Sequence, residues 1–146
     1  MSLRELLKGA SIIRQDTSRD EVQELLRVAA RSLSDAGVDG LSPEGCFALA
    51  YDALLQLATI PMRCHGYRTR GGGHHWAVFD ALPELVDFDL GERQDYFQAC
   101  RAKRSTAIYR RASVVTQAEV DELLAAAQEL DGDIRRWLKR KFPQFA

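Results

Sequence analysis

Apolar residues recur along most of this chain at intervals of three and four, the spacing that places them on one face of a helix. The first such segment, from about Leu3 to Ile13, is short. The second follows an S-x-x-E capping box formed by Ser18 and Glu21, and Gly37 ends it. Its apolar stripe consists of Val22, Leu25, Leu26, Ala29 and Leu33. The pattern predicts a short first helix and a longer amphipathic second helix.

The third segment has a clear start and apolar residues on nearly every side. Ser42 is placed to cap a helix, Pro43 suits its first position, and Glu44 suits the positive end of the helix dipole. The segment from Cys46 to Leu57 includes Phe47, Leu49, Tyr51, Leu54 and Leu55. Such a helix is expected at the centre of a domain, and Pro61 is expected to kink or end it.

Three more helices are predicted in the second half of the chain. Gly71–Gly73 is a break, and helices from His74 to about Leu85 and from Glu92 to about Ile108 follow it. The last helix begins at Thr116, which forms a second capping box with Glu119.

The last helix is expected to continue through Gly132 as far as Leu138. Val120 and Ile134 are 14 residues apart, about four helical turns, so the apolar face keeps its phase across the glycine. Strand-like alternation is scarce, and the nearest case, 112–116, is too short to build a sheet. The sequence therefore predicts an all-α, up-and-down bundle of four to five helices in a single domain, 1–146.

Composition fits a soluble domain and narrows its location. The 146 residues suit one domain, and the hydrophobic and charged fractions of 46% and 28% are ordinary. No apolar run is expected to approach the ~18 residues of a membrane helix, and the N-terminus lacks the apolar centre of a secretory signal. We expect a cytoplasmic protein without a membrane partner. The three cysteines, Cys46, Cys64 and Cys100, are odd in number and widely spaced, which favours free thiols, and Cys46 and Cys100 are expected in the core.

Positive charge is concentrated in two stretches, although the net charge is only −1. Segments 101–111 and 135–141 contain 10 of the 20 Lys and Arg residues and no acid. The second stretch has two interpretations. Cations suit a helix C-terminus, where the carbonyls lack partners, and they also suit contacts with phosphate groups.

Several catalytic motifs are excluded or disfavoured. Gly71–Gly73 is not followed by G-K-[ST], so a Walker loop is excluded. His74 and His75 are adjacent, so on a helix they point ~100° apart and do not converge on one ion. No serine elbow is present. We therefore expect no metal and no cofactor.

Arg104 carries a permanent charge on the apolar side of its helix. Phe97, Cys100, Ala107 and Ile108 all lie within ~60° of it on a helical wheel. An arginine in this position either extends to the rim of the apolar surface or faces an anion at a seam between chains.

The order of motifs from Ser18 to Leu138 resembles the HEPN family. The run Arg104-Ser105-Thr106-Ala107-Ile108-Tyr109 is followed by Thr116-Gln117-Ala118-Glu119 and a long final helix. The segment Ala48–Leu55 resembles the family's second core helix, and the Gly-rich stretch before His74 and His75 also has a counterpart there. The resemblance implies an all-helical bundle that dimerises.

HEPN membership would also imply a function. Many members are metal-independent ribonucleases whose R-x(4–6)-H motif lines a cleft between two protomers. Many are paired with a minimal nucleotidyltransferase in toxin–antitoxin systems, and others bind nucleotides or nucleic acid without catalysis. The resemblance thus implies a homodimer, a nucleotidyltransferase partner and an RNA or nucleotide ligand.

This chain departs from the nuclease motif, because Tyr109 stands at the histidine position and Ser105 at a position that is often Asn. Tyrosine titrates near ~10 and is a poor general base at neutral pH, so we expect binding with weak or absent cleavage. On a continuing helix Tyr109 lies ~140° from Arg104, so the two converge only if the helix ends near Ile108 or a second protomer supplies one of them.

The candidate site residues follow from this resemblance and from the charge pattern. If the protein is catalytic, Arg104 and Tyr109 are the candidate catalytic residues. The candidate nucleotide- or RNA-binding residues are Arg101, Lys103, Arg104, Ser105, Tyr109, Arg110 and Arg111. Two alternatives stay open: a metal-independent ribonuclease toxin with Tyr109 in the histidine's role, and a helical adaptor that binds only protein.

Overall fold

The protein is an all-α helical bundle with one small sheet, seen in a computed structural model that describes residues 2–71, 74–109 and 115–146. For residues 106–109 only the backbone is described. The described elements are α1 (Leu3–Lys8), β1 (Ile12–Arg14), α2 (Arg19–Ala36), α3 (Pro43–Cys64), β2 (Tyr67–Thr69), α4 (His75–Leu85), α5 (Arg93–Tyr109), α6 (Gln117–Lys141) and a 3₁₀ turn at Pro143–Phe145. The predicted fold class is confirmed.

Helix α3 is the centre of the bundle, as its composition predicts. Helices α2 and α6 pack along it, and α4 and α5 cover much of the remainder. Phe47, Tyr51, Leu54, Leu57 and Ile60 of α3 are all buried in the main core. By length and composition alone α3 is able to cross a membrane, but most of it is covered by the other helices, the environment of a core helix.

The predicted caps set the starts of three helices. The Ser42 hydroxyl accepts from the backbone N–H of Gly45, and the Ser18 hydroxyl accepts from the N–H of Glu21. At α6 the capping box is complete, because Thr116 and Glu119 satisfy each other's backbone N–H groups. The carboxylate of Glu21 instead forms an ion pair with Arg63, which ties the start of α2 to the end of α3.

The predicted first helix is too long. Helix α1 ends at Lys8, and Ala10 adopts a positive φ of 58°, which interrupts the helical backbone. The chain then extends into β1, which pairs antiparallel with β2, Ile12 opposite Thr69. Strands of three residues give almost no alternation for a sequence pattern to detect, so this sheet was not predicted.

Of the two expectations for Pro61, a kink in α3 or its end, the end is wrong. The helix continues to Cys64, and Pro61 is itself buried in it. Proline removes one backbone hydrogen bond from a helix. Burial of Ile60, Met62 and Cys64 on either side of it continues the apolar contacts and offsets that loss.

Helix α6 continues through Gly132, as its phase predicts. Ile134, Trp137 and Leu138 beyond the glycine are buried in the same core as Val120 and Leu123 before it. The cations near its C-terminus are largely paired within the chain. These pairs are Arg135–Asp131, Arg136–Asp133, Arg140–Asp87 and Lys141–Asp87.

The three cysteines are free and buried, and Cys46 and Cys100 lie in the main core as predicted. A smaller cluster lies apart from that core and includes Leu6 of α1, Ile12 of β1 and Met62 of α3. It attaches the N-terminal segment to α4 and to the end of α3.

Leu54→Ala should lower the free energy of unfolding by about 2–5 kcal/mol, because Leu54 is fully buried at the centre of α3 and truncation leaves a cavity. Ser42→Ala should cost only about 1 kcal/mol, through the lost cap. Chemical denaturation of both variants measures the difference. A larger loss for Ser42→Ala would contradict the central position of α3.

Candidate functional site

Three helices bring five polar side chains together beside the core, a group we call the Arg–His cluster. Tyr51 and Asp52 come from α3, His75 from the first turn of α4, and Arg101 and Arg104 from α5. The two arginines are ~60° apart on their helix and so share one side of it. Their charges act on both Tyr51 and His75.

Glutamine side chains hold α5 against α4 and so set the spacing of the cluster. The Gln98 amide donates to the backbone oxygen of Trp76 at 2.9 Å and to the Asp80 carboxylate at 3.0 Å. The Gln94 amide donates to the backbone oxygen of Phe79 at 3.1 Å. The Arg101 Nε donates to the Gln98 Oε1 at 2.9 Å, so one residue orients the arginine and fixes the start of α4.

Tyr51 and His75 are in direct contact, with 3.4 Å between the hydroxyl oxygen and Nδ1. Burial raises the pKa of Tyr51 well above its usual range, so its hydroxyl stays protonated. When the imidazole proton is on Nε2, this hydroxyl donates to Nδ1, and Nε2–H is a free donor. When the proton is on Nδ1, the hydroxyl oxygen accepts it and Nε2 is free to accept a proton.

The pKa of His75 lies below its ordinary value of 6.5. Loss of hydration is the main cause, and the charges of Arg101 and Arg104 add to it, while Asp52 opposes it. The imidazole is therefore neutral at neutral pH. The pKa of Asp52 is raised by the protein around its carboxyl group, although the residue as a whole is exposed, and Arg104 and His75 pull this pKa down.

Arg104 is half-buried, and its Nε is buried without a hydrogen-bond partner among the described residues. Arg104 forms no ion pair with any acidic residue that the structure describes. The Nδ1 of His74, at the N-cap position of α4, is also buried and unpaired within the described part of the chain. An unpaired buried donor is costly, so the Arg104 Nε suits an acceptor from outside the chain.

The structure separates some residues that the sequence groups together. Lys103 lies on another side of α5, where its Nζ is 3.2 Å from the Glu119 Oε2 of α6. Ser105 is exposed. The backbone of α5 is helical through Tyr109, so the helix does not end at Ile108. The side chain of Tyr109, together with Arg110 and Arg111, lies outside the described residues.

Sequence analysis missed Tyr51, Asp52 and His75 as members of one site. Asp52 is the only charged residue between Glu44 and Arg63 of an otherwise apolar helix, and this isolation was the available indication. For His74 and His75 the sequence suggests a metal pair, which is disfavoured, or a packing or capping role at the start of a helix, and neither interpretation indicates a contact with Tyr51. Among the described residues no group of three His, Cys, Asp or Glu side chains is placed to hold a metal ion.

Comparison with protein-family models, with curated proteins and with solved structures finds no match to this chain. The fold and the site together define an all-α helical bundle with an arginine–histidine cluster beside its central helix.

The NMR titration of His75 should give a pKa below 6.5, and two substitutions should move it in opposite directions. Asp52→Asn removes a stabilising negative charge and should lower this pKa further. Arg104→Gln removes a repulsive positive charge and should raise it. Shifts in the reverse directions would contradict the charge arrangement of the cluster.

The same shift has a consequence for stability. Because the folded state binds this proton less readily, the contribution of neutral His75 to stability is present above pH 6.5 and is lost as the pH falls through the folded pKa. The unfolding free energy of the wild type relative to His75→Gln should therefore decrease as the pH falls from about 7.5 to about 5. Denaturant titrations at both pH values measure it, and a relative stability that does not change would contradict the lowered pKa.

Proposed function

We propose that this protein is a HEPN-like module that binds a nucleotide or single-stranded RNA through the Arg–His cluster. The observation that carries the proposal is the half-buried Arg104, whose Nε has no described partner and which lies on the same side of α5 as Arg101. The charges of both arginines act on His75. Two guanidinium groups and an imidazole donor suit the oxygens of a phosphate. The first turn of α4 adds the positive end of a helix dipole.

Asp52 favours a sugar phosphate over a free phosphate ion. A carboxylate repels an anion at close range but accepts hydrogen bonds from hydroxyl groups. Its position beside Arg104 and His75 therefore suits a ligand that offers phosphate oxygens to one part of the cluster and ribose hydroxyls to another. A nucleotide and an RNA strand both have this combination.

The resemblance supplies the rest of the proposal. A HEPN-like module would work as a homodimer in the cytoplasm, beside a nucleotidyltransferase partner in a toxin–antitoxin-type system. The resemblance also assigns Ser105, Tyr109, Arg110 and Arg111 to the binding site. Lys103 would contribute less, since it is already paired with Glu119.

Arg104→Ala should weaken the binding of a short fluorescent single-stranded RNA by about 1.5–3 kcal/mol, roughly 10- to 150-fold, the cost of a lost charge-assisted hydrogen bond. Arg104→Lys should recover only part of the affinity, because lysine lacks the planar fork. Fluorescence anisotropy at several salt concentrations measures both effects, and wild-type affinity should fall as salt rises.

Arg31→Ala is the matched control, since it removes the same charge from an exposed position of α2. If the folded Arg104→Ala and Arg31→Ala variants bind the RNA with equal affinity, the Arg–His cluster is not a specific binding site. Absence of RNA and nucleotide binding in the wild type would favour the adaptor that binds only protein.

A second candidate function, a metal-independent ribonuclease, is favoured by the contact of His75 Nδ1 with the Tyr51 hydroxyl, which can orient the imidazole, together with its lowered pKa. With its proton on Nδ1, His75 would take the proton of a ribose 2′-hydroxyl at Nε2. The 2′-oxygen would form a bond to phosphorus while the bond to the 5′-oxygen breaks. The departing 5′-oxygen would take a proton from water, leaving a 2′,3′-cyclic phosphate and a 5′-hydroxyl. In this proposal His75, rather than Tyr109, is the general base.

If this second function holds, His75→Gln should slow RNA cleavage in metal-free buffer by about 100-fold or more, the usual contribution of a general base. RNA affinity should change little, because glutamine keeps a hydrogen-bonding group there. Tyr109→Phe should retain most of the activity. Cleavage of a labelled oligonucleotide measures both variants. A larger loss of activity in Tyr109→Phe than in His75→Gln would make Tyr109, not His75, the candidate general base.

A further inference from the structure

A groove runs between α5 and α6 on a different side of α5 from the Arg–His cluster. Its volume is about 750 Å³, and Tyr96, Ala99, Ala125 and Ala126 form its apolar lining. A smaller depression of about 180 Å³ continues it toward Lys103 and Glu119, sharing Tyr96 and Ala99 as lining residues. We call this whole surface the acidic groove, after the carboxylates along its edges.

The groove exists because α5 and α6 both pack against α3. Phe97 and Cys100 of α5 and Leu123 and Ala127 of α6 are buried toward the core. Of the residues between them, Ala99 and Ala125 are exposed and Ala126 is half-buried. These methyl side chains leave room that longer side chains would fill, so another helix is able to approach closely at this position.

The charges along the groove are mostly negative and incompletely paired. Glu129 and Glu119 each contact a cation of this chain, Arg93 at 3.5 Å and Lys103 at 3.2 Å. Three other carboxylates of the groove, those of Glu92, Asp95 and Glu122, have no ion-pair partner among the described residues.

Carboxylates elsewhere on the bundle are paired with arginines, unlike those of the acidic groove. On the far end of α6, Asp131 and Asp133 are both bound by arginines of the same helix, and Asp87 is bound by Arg140. The groove therefore combines a narrow apolar surface with carboxylates that cations from outside the chain can reach.

We propose that the acidic groove binds a basic amphipathic helix of another protein, with lysine or arginine against Glu92, Asp95 and Glu122 and small or aliphatic side chains on the alanines. Charge complementarity selects this partner, and it excludes nucleic acid. A second copy of this chain suits the groove less well. The cations of its α6 are largely paired with Asp87, Asp131 and Asp133, and Arg101 and Arg104 belong to the Arg–His cluster.

A synthetic pair of helical peptides provides the probe. One peptide has an alanine- and leucine-rich side flanked by lysines, and its matched control has glutamate in place of each lysine. The lysine peptide should bind the full-length protein in fluorescence anisotropy, and its affinity should fall with added salt. Its NMR footprint should include the amides of Ala99 and Ala125. Equal binding of the glutamate peptide, or no binding of the lysine peptide, would overturn the proposal.

Two variants locate the site. The triple neutralisation Glu92→Gln, Asp95→Asn and Glu122→Gln should weaken peptide binding by about tenfold or more, since three exposed ion pairs are lost. A control triple at exposed carboxylates, Asp16→Asn, Asp35→Asn and Asp39→Asn, changes the net charge equally and should leave the affinity within about twofold.

Ala125→Leu tests the apolar part of the groove separately, because the larger side chain occupies the space while the carboxylates stay. It should weaken peptide binding with no loss of thermal stability, since Ala125 is exposed.

Equal peptide affinity of the wild type and of the variant Glu92→Gln, Asp95→Asn and Glu122→Gln would overturn the proposal. The proposal would also be overturned if the wild type bound no peptide but self-associated, and the same triple variant abolished this self-association. The groove would then hold a second copy of the chain. RNA affinity should be the same in both triple variants.

Discussion

The burial of α3 is the constraint on which the rest of this structure depends. A 22-residue helix that is apolar on nearly every side has to be surrounded, and α2, α4, α5 and α6 do so. Between Glu44 and Arg63 at its two ends, α3 has a single charge, that of Asp52, and it lies between the buried residues Tyr51 and Ala53. Since a buried, unpaired carboxylate is too costly, the covering helices leave an opening there. The start of α4 and the second half of α5 meet at this opening, so the position of the Arg–His cluster follows from the packing of the core.

The sequence predicts the long elements well because their determinants are local. The phase of the apolar residues carries α6 through Gly132, and Ser42 and Thr116 fix the starts of α3 and α6 through contacts three residues away. The errors have nonlocal causes. The sheet depends on a pairing of Ile12 with Thr69, which no local pattern reveals. The continuation of α3 past Pro61 depends on neighbours that bury the following turn.

The candidate site also has a part that is determined locally, within one helix, and a part that depends on tertiary contacts. The placement of Arg104 beside Phe97 and Cys100 is a property of one helix, so a helical wheel predicts its half-buried position. The meeting of His75 with Tyr51 is a tertiary contact between α4 and α3, and it depends on the glutamines of α5 that hold the start of α4. Charge on a helix is thus readable from the sequence, whereas the partner of that charge is not.

Helix α5 presents opposite charges on two of its sides. Arg101 and Arg104 occupy one side, while Asp95 and Tyr96 face the acidic groove on another. The ion pair of Lys103 with Glu119 lines the groove at one end. Because Lys103 and Glu119 neutralise each other, the net negative charge of the groove comes mainly from Glu92, Asp95 and Glu122. An anion at the cluster and a basic helix in the groove would then meet fields of opposite sign on one rigid element. The two proposed surfaces are compatible on α5 because Arg101 and Arg104 lie on a different side of the helix from Asp95 and Ala99.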